Sequence, residues 1–204
     1  VSDDGRGIPF DKVEVISTKL QSGSKLRKSG GAKSAGENGV GLTAINALAK
    51  SLQYSIHRQF LDDKNQTITE KGTFLFNEGR LINKKVESAS KEKHGTTVAF
   101  IPSEETLGPC AIPVEEYVSW VEKLSYIVSS KCNIKLSVLR KGKEVDTVYK
   151  LKRKNGFIDY MDVVNEKRIV APISLSGSAN DVKVQCVFTY DPNSNEELTD
   201  TFVN

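Results

Sequence analysis

Asp3-Asp4-Gly5-Arg6-Gly7-Ile8-Pro9 and Gly36-Glu37-Asn38-Gly39-Val40-Gly41 are the two stretches from which the fold of this chain is read. The first sets acidic residues beside glycines, so a carboxylate can meet the edge of a base while the backbone is approached closely. The second is a Gly-x-x-Gly-x-Gly loop running into the apolar-periodic segment Leu42 to Leu52. Its backbone N–H groups and the positive end of the helix that follows can face phosphates. Together the two motifs can hold both ends of one nucleotide. Alone, the glycine loop serves equally as a tight turn or a helix-packing element. A dinucleotide fold wants a strand before the glycines and an acid about twenty residues after them. Here the preceding run, Lys25 to Ala35, is polar, small and basic, and the acid comes first. No Gly-Lys-Ser or Gly-Lys-Thr closes the loop, which excludes a P-loop.

Composition bounds the rest. The chain has 204 residues, 38% hydrophobic and 27% charged, enough for one large or two small soluble domains. No apolar run approaches the ~18 residues of a membrane span. Cys110, Cys132 and Cys186 are widely spaced in no metal-ligand pattern and are expected to be reduced, buried thiols of a cytoplasmic protein. A net charge of +3 does not by itself indicate nucleic-acid binding. Lys19, Lys25, Arg27, Lys28 and Lys33 run without an intervening acid, as do Lys150, Lys152, Arg153 and Lys154. Either cluster can be a solvated surface; adjacency to the glycine loop favours a phosphate-facing lid for the first.

Spacing predicts a short helix over residues 10–21, carrying Val13, Ile16 and Leu20, then a loop, then a helix with the stripe Leu42, Ile45, Leu48, Ala49 and Leu52. Gln53 to Phe60 and Gly72 to Phe76 read as an antiparallel pair, and Thr96 to Ile101 as a third strand ended by Pro102. Tyr117, Val121, Leu124 and Val128 mark a helix beside Trp120; Ile134 to Leu139 and Val145 to Leu151 flank a Lys-Gly-Lys turn. Phe157, Tyr160 or Met161, and Val164 suggest a further short helix. Val182, Val184, Cys186, Phe188 and Tyr190 alternate as a half-buried strand. The pattern alone supplies an α+β character.

The order SDDGRGIP, QSGSK, a basic loop, and AGENGVG opening a helix with NAL resembles the ATPase region of type IIA DNA topoisomerases, the B subunits of gyrase and topoisomerase IV. These belong to the wider GHKL group of ATPases. The likeness continues through Ile56-His57-Arg58 and His94 to Ser103 and covers essentially the whole chain. It departs at Ala35, where the family usually has a second glycine, and at Asn38, where histidine is frequent; a cradle of backbone N–H groups should survive both. The resemblance implies a GHKL-type α/β sandwich, a mixed sheet with helices on one face, over residues 1–147. The first part of a transducer domain, ribosomal-S5-domain-2-like, is expected over 148–204. It also places the family's catalytic glutamate and magnesium-binding asparagine on a helix upstream of Val1, and a transducer lysine beyond Asn204. A middle segment without its own catalytic base is therefore expected to turn over no ATP alone.

The resemblance also assigns roles. Asp3 would accept the adenine amino group, although Asp beside Gly is also ordinary turn chemistry. Gly7 would let base and water approach, Ile8 and Pro9 would pack on the ring, and the Thr96 hydroxyl would share the water beside Asp3 unless it is simply a β-branched strand residue. Gly36 would allow the phosphate turn, and Asn38, Gly39, Val40 and Gly41 would donate backbone N–H groups. Lys25 matches a lid lysine that reaches the phosphates, against the reading of a solvated lysine. Arg6 and Arg58 match the pocket rim where coumarin inhibitors bind, or are surface ion-pair partners. His57 and His94 are read as structural.

The activity implied is magnesium-dependent ATP hydrolysis coupled to closure of a homodimer and passage of one DNA duplex through another, with an A-type cleavage subunit as partner. Two other readings stand beside it: a catalytically silent, ATP-gated dimerisation module, and a MutL-like repair ATPase, whose Arg-Gly-Glu-Ala loop is missing here.

Overall fold

The computed structural model describes residues 1–20, 39–61, 63–89, 94–109, 113–128, 132–139, 147–165, 170–180, 182–192 and 197–201. They form two compact units, Val1–Ala111 and Ile112–Asn204.

The first unit contains α1 (Val13–Thr18), α2 (Gly41–Leu48), β1 (Ala49–Leu61), β2 (Thr67–Asn77), β3 (Arg80–Ser88), β4 (Gly95–Pro102) and the short α3 (Glu104–Leu107). Its sheet runs β3-β2-β1-β4. A mixed sheet is expected for the family; among the described residues every pairing is antiparallel. Register puts Leu52, Tyr54 and Ile56 of β1 opposite Phe76, Phe74 and Gly72 of β2, so all six share one face. That face is the core: Leu52, Tyr54, Ile56, Phe74, Phe76, Ala49 and Val13 are buried, with Ile8, Phe10, Leu42, Ile45, Leu81 and Val98 packed against them. Each large apolar side chain buried there contributes roughly 1.5–3 kcal/mol. The absent side chain of Gly72 leaves room for Phe10, whose ring stands 5.9 Å from that of Phe74. Burial holds the Tyr54 phenol above its ordinary pKa, with the Ser17 hydroxyl 2.9 Å away.

The second helix is shorter than its apolar stripe predicts. It ends at Leu48, and Ala49 and Leu52 are buried strand residues. The two periods overlap here, because Leu52 also begins the alternation Leu52, Tyr54, Ile56. Strand β3 has no counterpart in the sequence reading: Leu81-Ile82-Asn83-Lys84-Lys85 does not alternate, and among the described residues it is an edge strand paired with β2.

The second unit contains α4 (Val114–Ile127), the hairpin β5 (Ile134–Val138) and β6 (Thr147–Leu151), α5 (Phe157–Val164), and the hairpin β7 (Ile173–Ala179) and β8 (Val182–Phe188). Glu115 and Glu116 stand in the first turn of α4, where they oppose the helix dipole favourably. A clasp joins α4 to the chain beyond β6. Arg153 lies over the Tyr126 ring at 4.1 Å, and its guanidinium donates to Glu122 and Ser125, both at 3.1 Å. The Tyr126 and Tyr160 rings are 5.2 Å apart, and the Tyr160 hydroxyl donates to Asp200. One member of the second basic cluster is therefore structural.

Two expectations change. The strand at Val182 is exposed on both faces rather than half-buried, and it pairs with β7, which the sequence reading did not mark. Cys132 and Cys186 are exposed, not buried, since each lies on an uncovered part of the second unit; Cys110 lies outside the described residues.

Candidate functional site

The first motif folds onto the free edge of β4. Asp3 N–H donates to Thr96 O at 2.9 Å and Val98 N–H to Val1 O at 2.8 Å, with a bridge between Ser2 and Thr97. The chain before the glycines therefore continues the sheet by a short antiparallel strip. This contact requires Gly95, whose φ is +124° and where a Cβ would stand 2.0 Å from the Asp3 carbonyl oxygen. Asp3 Oδ1 accepts from Gly5 N–H at 2.8 Å and Thr96 N–H at 3.3 Å. The carboxylate is thereby oriented, and because a carboxylate offers about four acceptor positions, it keeps capacity for a ligand donor. Asp3 is exposed, while Thr96 beside it is buried, 93 residues apart in sequence.

The loop that follows is fixed from below. Gly7 has φ +74°, and a Cβ there would lie 2.6 Å from both His57 O and Arg58 Cγ, so the glycine lets the loop press onto β1. His94 Nδ1 lies 3.2 Å from Gly5 O; a carbonyl only accepts, so that ring nitrogen carries the proton. Ile8 is half-buried against the core, and Pro9 is half-buried beside it. Arg6 is exposed, whereas Arg58 lays its stem under Gly7 and keeps a buried Nε with no hydrogen-bond partner among the described residues.

Of the phosphate motif, Gly39, Val40 and Gly41 are described; Lys25, Gly36 and Asn38 lie outside the described residues. Gly39 takes φ +59°, Val40 occupies the N-cap of α2 and accepts from Ala44 N–H at 2.9 Å, and nothing lies within 4 Å of a Cβ placed on Gly41. The helix therefore opens at these residues with no side chain capping it, the arrangement that favours an anion.

Two sets of anchoring residues were not legible as part of the site. Gly95 and the Ser2–Thr97 pair hold the acidic motif on β4, and Thr43 and Asn46 anchor α2 to α1. Only the His-Gly-Thr-Thr string signalled the first. The second had a weak signal in the polar residues at i and i+3 on an otherwise apolar helix. Among the described residues, no cluster of three or more His, Cys, Asp or Glu is arranged to hold a metal, and no helix is long and apolar enough to cross a membrane.

No family model matches the chain. The topoisomerase IV B protein of Staphylococcus epidermidis is 29% identical over 213 residues, covering 100% of this chain and 30% of the relative. The Staphylococcus aureus protein of the same name reaches 30% with the same coverage. The chain thus spans about a third of the length of these relatives. Among solved structures, the 43K ATPase domain of Thermus thermophilus gyrase B, in complex with an aminocoumarin, superposes with a TM-score of 0.66 at 21% identity, over 92% of this chain and 47% of that one. The topoisomerase IV ATP-binding domain of Francisella tularensis, bound to a small-molecule inhibitor, gives 0.60 at 21%, over 91% and 48%. Similar along its whole length to topoisomerase IV B proteins, the chain has the fold of the gyrase B and topoisomerase IV ATPase domains.

Proposed function

We propose that this chain is the nucleotide-binding part of a type IIA topoisomerase B subunit, where ATP binding and hydrolysis drive dimer closure and DNA strand passage. The observation that carries the reading is the Asp3 carboxylate held against Thr96 at the sheet edge, its Oδ1 oriented by two backbone N–H groups, with the Gly7 loop pressed onto the adjacent strand β1. In this reading Asp3 accepts the adenine amino group, Ile8 and Pro9 line the ring, and Thr96 shares a water with Asp3. Gly36, Asn38, Gly39, Val40 and Gly41 cradle phosphates at the opening of α2, while Lys25 reaches the terminal phosphate. Arg6 and Arg58 form the rim, and the unpartnered Arg58 Nε supports a ligand-facing part for that side chain.

Magnesium, a cleavage subunit of A type, DNA as the object of the whole protein and a cytoplasmic location belong to the same proposal. So does the division into a nucleotide domain, 1–147, and the beginning of a transducer, 148–204. The clasp from Glu122 and Ser125 to Arg153 would then link the two domains along the chain.

Calorimetry with ADP and a non-hydrolysable ATP analogue, using the whole protein, tests the two ends separately. Asp3→Ala removes a charge-assisted hydrogen bond worth about 1.5–3 kcal/mol, so both ligands should weaken alike, by roughly tenfold to over a hundredfold. Lys25→Ala should weaken the analogue more than ADP, and the difference should shrink with added salt. A triphosphate-selective loss at Asp3 would reverse the assignment.

A further inference from the structure

The last carbonyls of a helix have no partners within it. In α1 they are met by side chains of α2. Thr43 Oγ1 lies 3.1 Å from both Ile16 O and Lys19 O, and Asn46 Nδ2 donates to Ser17 O at 2.9 Å. Thr43 and Asn46 are three residues apart and so share a helix face. The Asn46 amide also donates to Gly79 O at 2.9 Å, in the turn between β2 and β3. One side chain, 2% exposed, therefore ties α2 to a second helix and to the sheet. It does so while its own Oδ1 is buried without a partner among the described residues, which costs stability. An apolar residue would avoid that cost but could not set the position of α2 through directed bonds.

The two helices this face joins each adjoin one of the two motifs of the candidate site. The segment Asp3 to Pro9 runs into α1, and Gly39 and Val40 open α2. We infer that Thr43 and Asn46 are positioning residues: through the α1 carbonyls they fix where the opening of α2 stands relative to the acidic motif, and hence where phosphates bind relative to the base. The inference rests on the nucleotide reading above. Neither residue contacts nucleotide in it, so their loss should reach the phosphates alone.

The test uses the whole protein, with ADP and a non-hydrolysable ATP analogue measured by calorimetry and adenosine by ligand-observed NMR, alongside thermal unfolding. Asn46→Ala should weaken ADP and the analogue roughly fivefold to tenfold, the effect of about one misplaced hydrogen bond, while adenosine stays within about twofold. Thr43→Val keeps the shape of the side chain at a half-buried position and removes the one hydroxyl proton that the Ile16 and Lys19 carbonyls share. It should show the same pattern even if Asn46→Ala does not fold, and Thr43→Ser should restore wild-type affinity. Parallel loss of all three ligands, or unchanged ADP affinity in folded Thr43→Val, overturns the inference. Wild-type protein that binds neither nucleotide would instead overturn the nucleotide reading itself.

Discussion

Strand pairs β1–β2 and β7–β8 carry the same sequence device and meet opposite fates. In the first, Leu52, Tyr54 and Ile56 face Phe76, Phe74 and Gly72 beneath two helices, and the large side chains are buried. In the second, Ile173, Leu175, Gly177 and Ala179 stand opposite Phe188, Cys186, Val184 and Val182, a wholly apolar face backed by Ser174, Ser176 and Ser178. Yet Leu175 is 58% and Val184 59% exposed. Alternation decides which side chains share a face; only a second layer decides whether that face leaves water. The contrast extends to the units that hold them. Among the described residues, the buried hydrophobic side chains of the second unit are two tyrosines, Tyr126 and Tyr160, set in the Arg153 and Asp200 clasp.

The largest break in this comparison should come from the covered pair. Phe76→Ala empties a fully buried site and should cost about 3–5 kcal/mol in urea unfolding of the first unit. If the loss is below about 1 kcal/mol, the helical layer does not enclose β2 as described. Next comes the acidic strip on the same sheet. Gly95→Ala meets the Asp3 carbonyl oxygen and a positive φ, so roughly 1–3 kcal/mol of strain should be relieved by lifting residues 1–4 from β4. Hydrogen exchange reads this directly: the Asp3 and Val98 amides should lose protection while those of β1 and β2 keep theirs.

In the second unit, stability should follow a phenol rather than a core. Burial first, then the adjacent Asp200 carboxylate, pushes the Tyr160 pKa from 10.0 up to about 12. A folded-state pKa above the unfolded one means the folded form holds the proton more tightly. The contribution is therefore complete below pH 10 and is lost as pH rises from 10 through about 12. Tyr160→Phe should remove about 1 kcal/mol at neutral pH and flatten that alkaline decline. An unchanged decline in the variant would place its origin elsewhere. The smallest effect should be Leu175→Ser, within about 0.5 kcal/mol in the chain as described, because the side chain is already in water. A cost near that of Phe76→Ala would show that the β7–β8 face is covered in solution.

The local geometry around Asp3 and at the opening of α2 was legible because short-range stereochemistry writes it. Asp beside Gly, glycines at the mouth of a helix and the His-Gly-Thr-Thr string are short-range statements; the structure sets Asp3 against Thr96 at the edge of β4 and Gly7 against β1. The misreadings came where one residue satisfies two periods or none. Leu52 fits both the helix stripe before it and the strand alternation after it, so the change at Leu48–Ala49 was invisible. The edge strand β3 has Leu81, Ile82 and Val86 among charges, and pairing with one neighbour was enough to make it a strand.

By itself the sequence determined the helices and strands with a clear apolar period, such as α4 and the alternation Leu52, Tyr54, Ile56, and which of those residues share a face, since these follow from φ/ψ preference and side-chain spacing along a few residues. Only the tertiary structure decided that Thr96 orients an aspartate 93 residues away, that Asn46 joins two helices to a turn, and that one apolar strand pair is buried while its counterpart is not. Those outcomes depend on which distant surfaces close over one another, and spacing along the chain does not encode that closure.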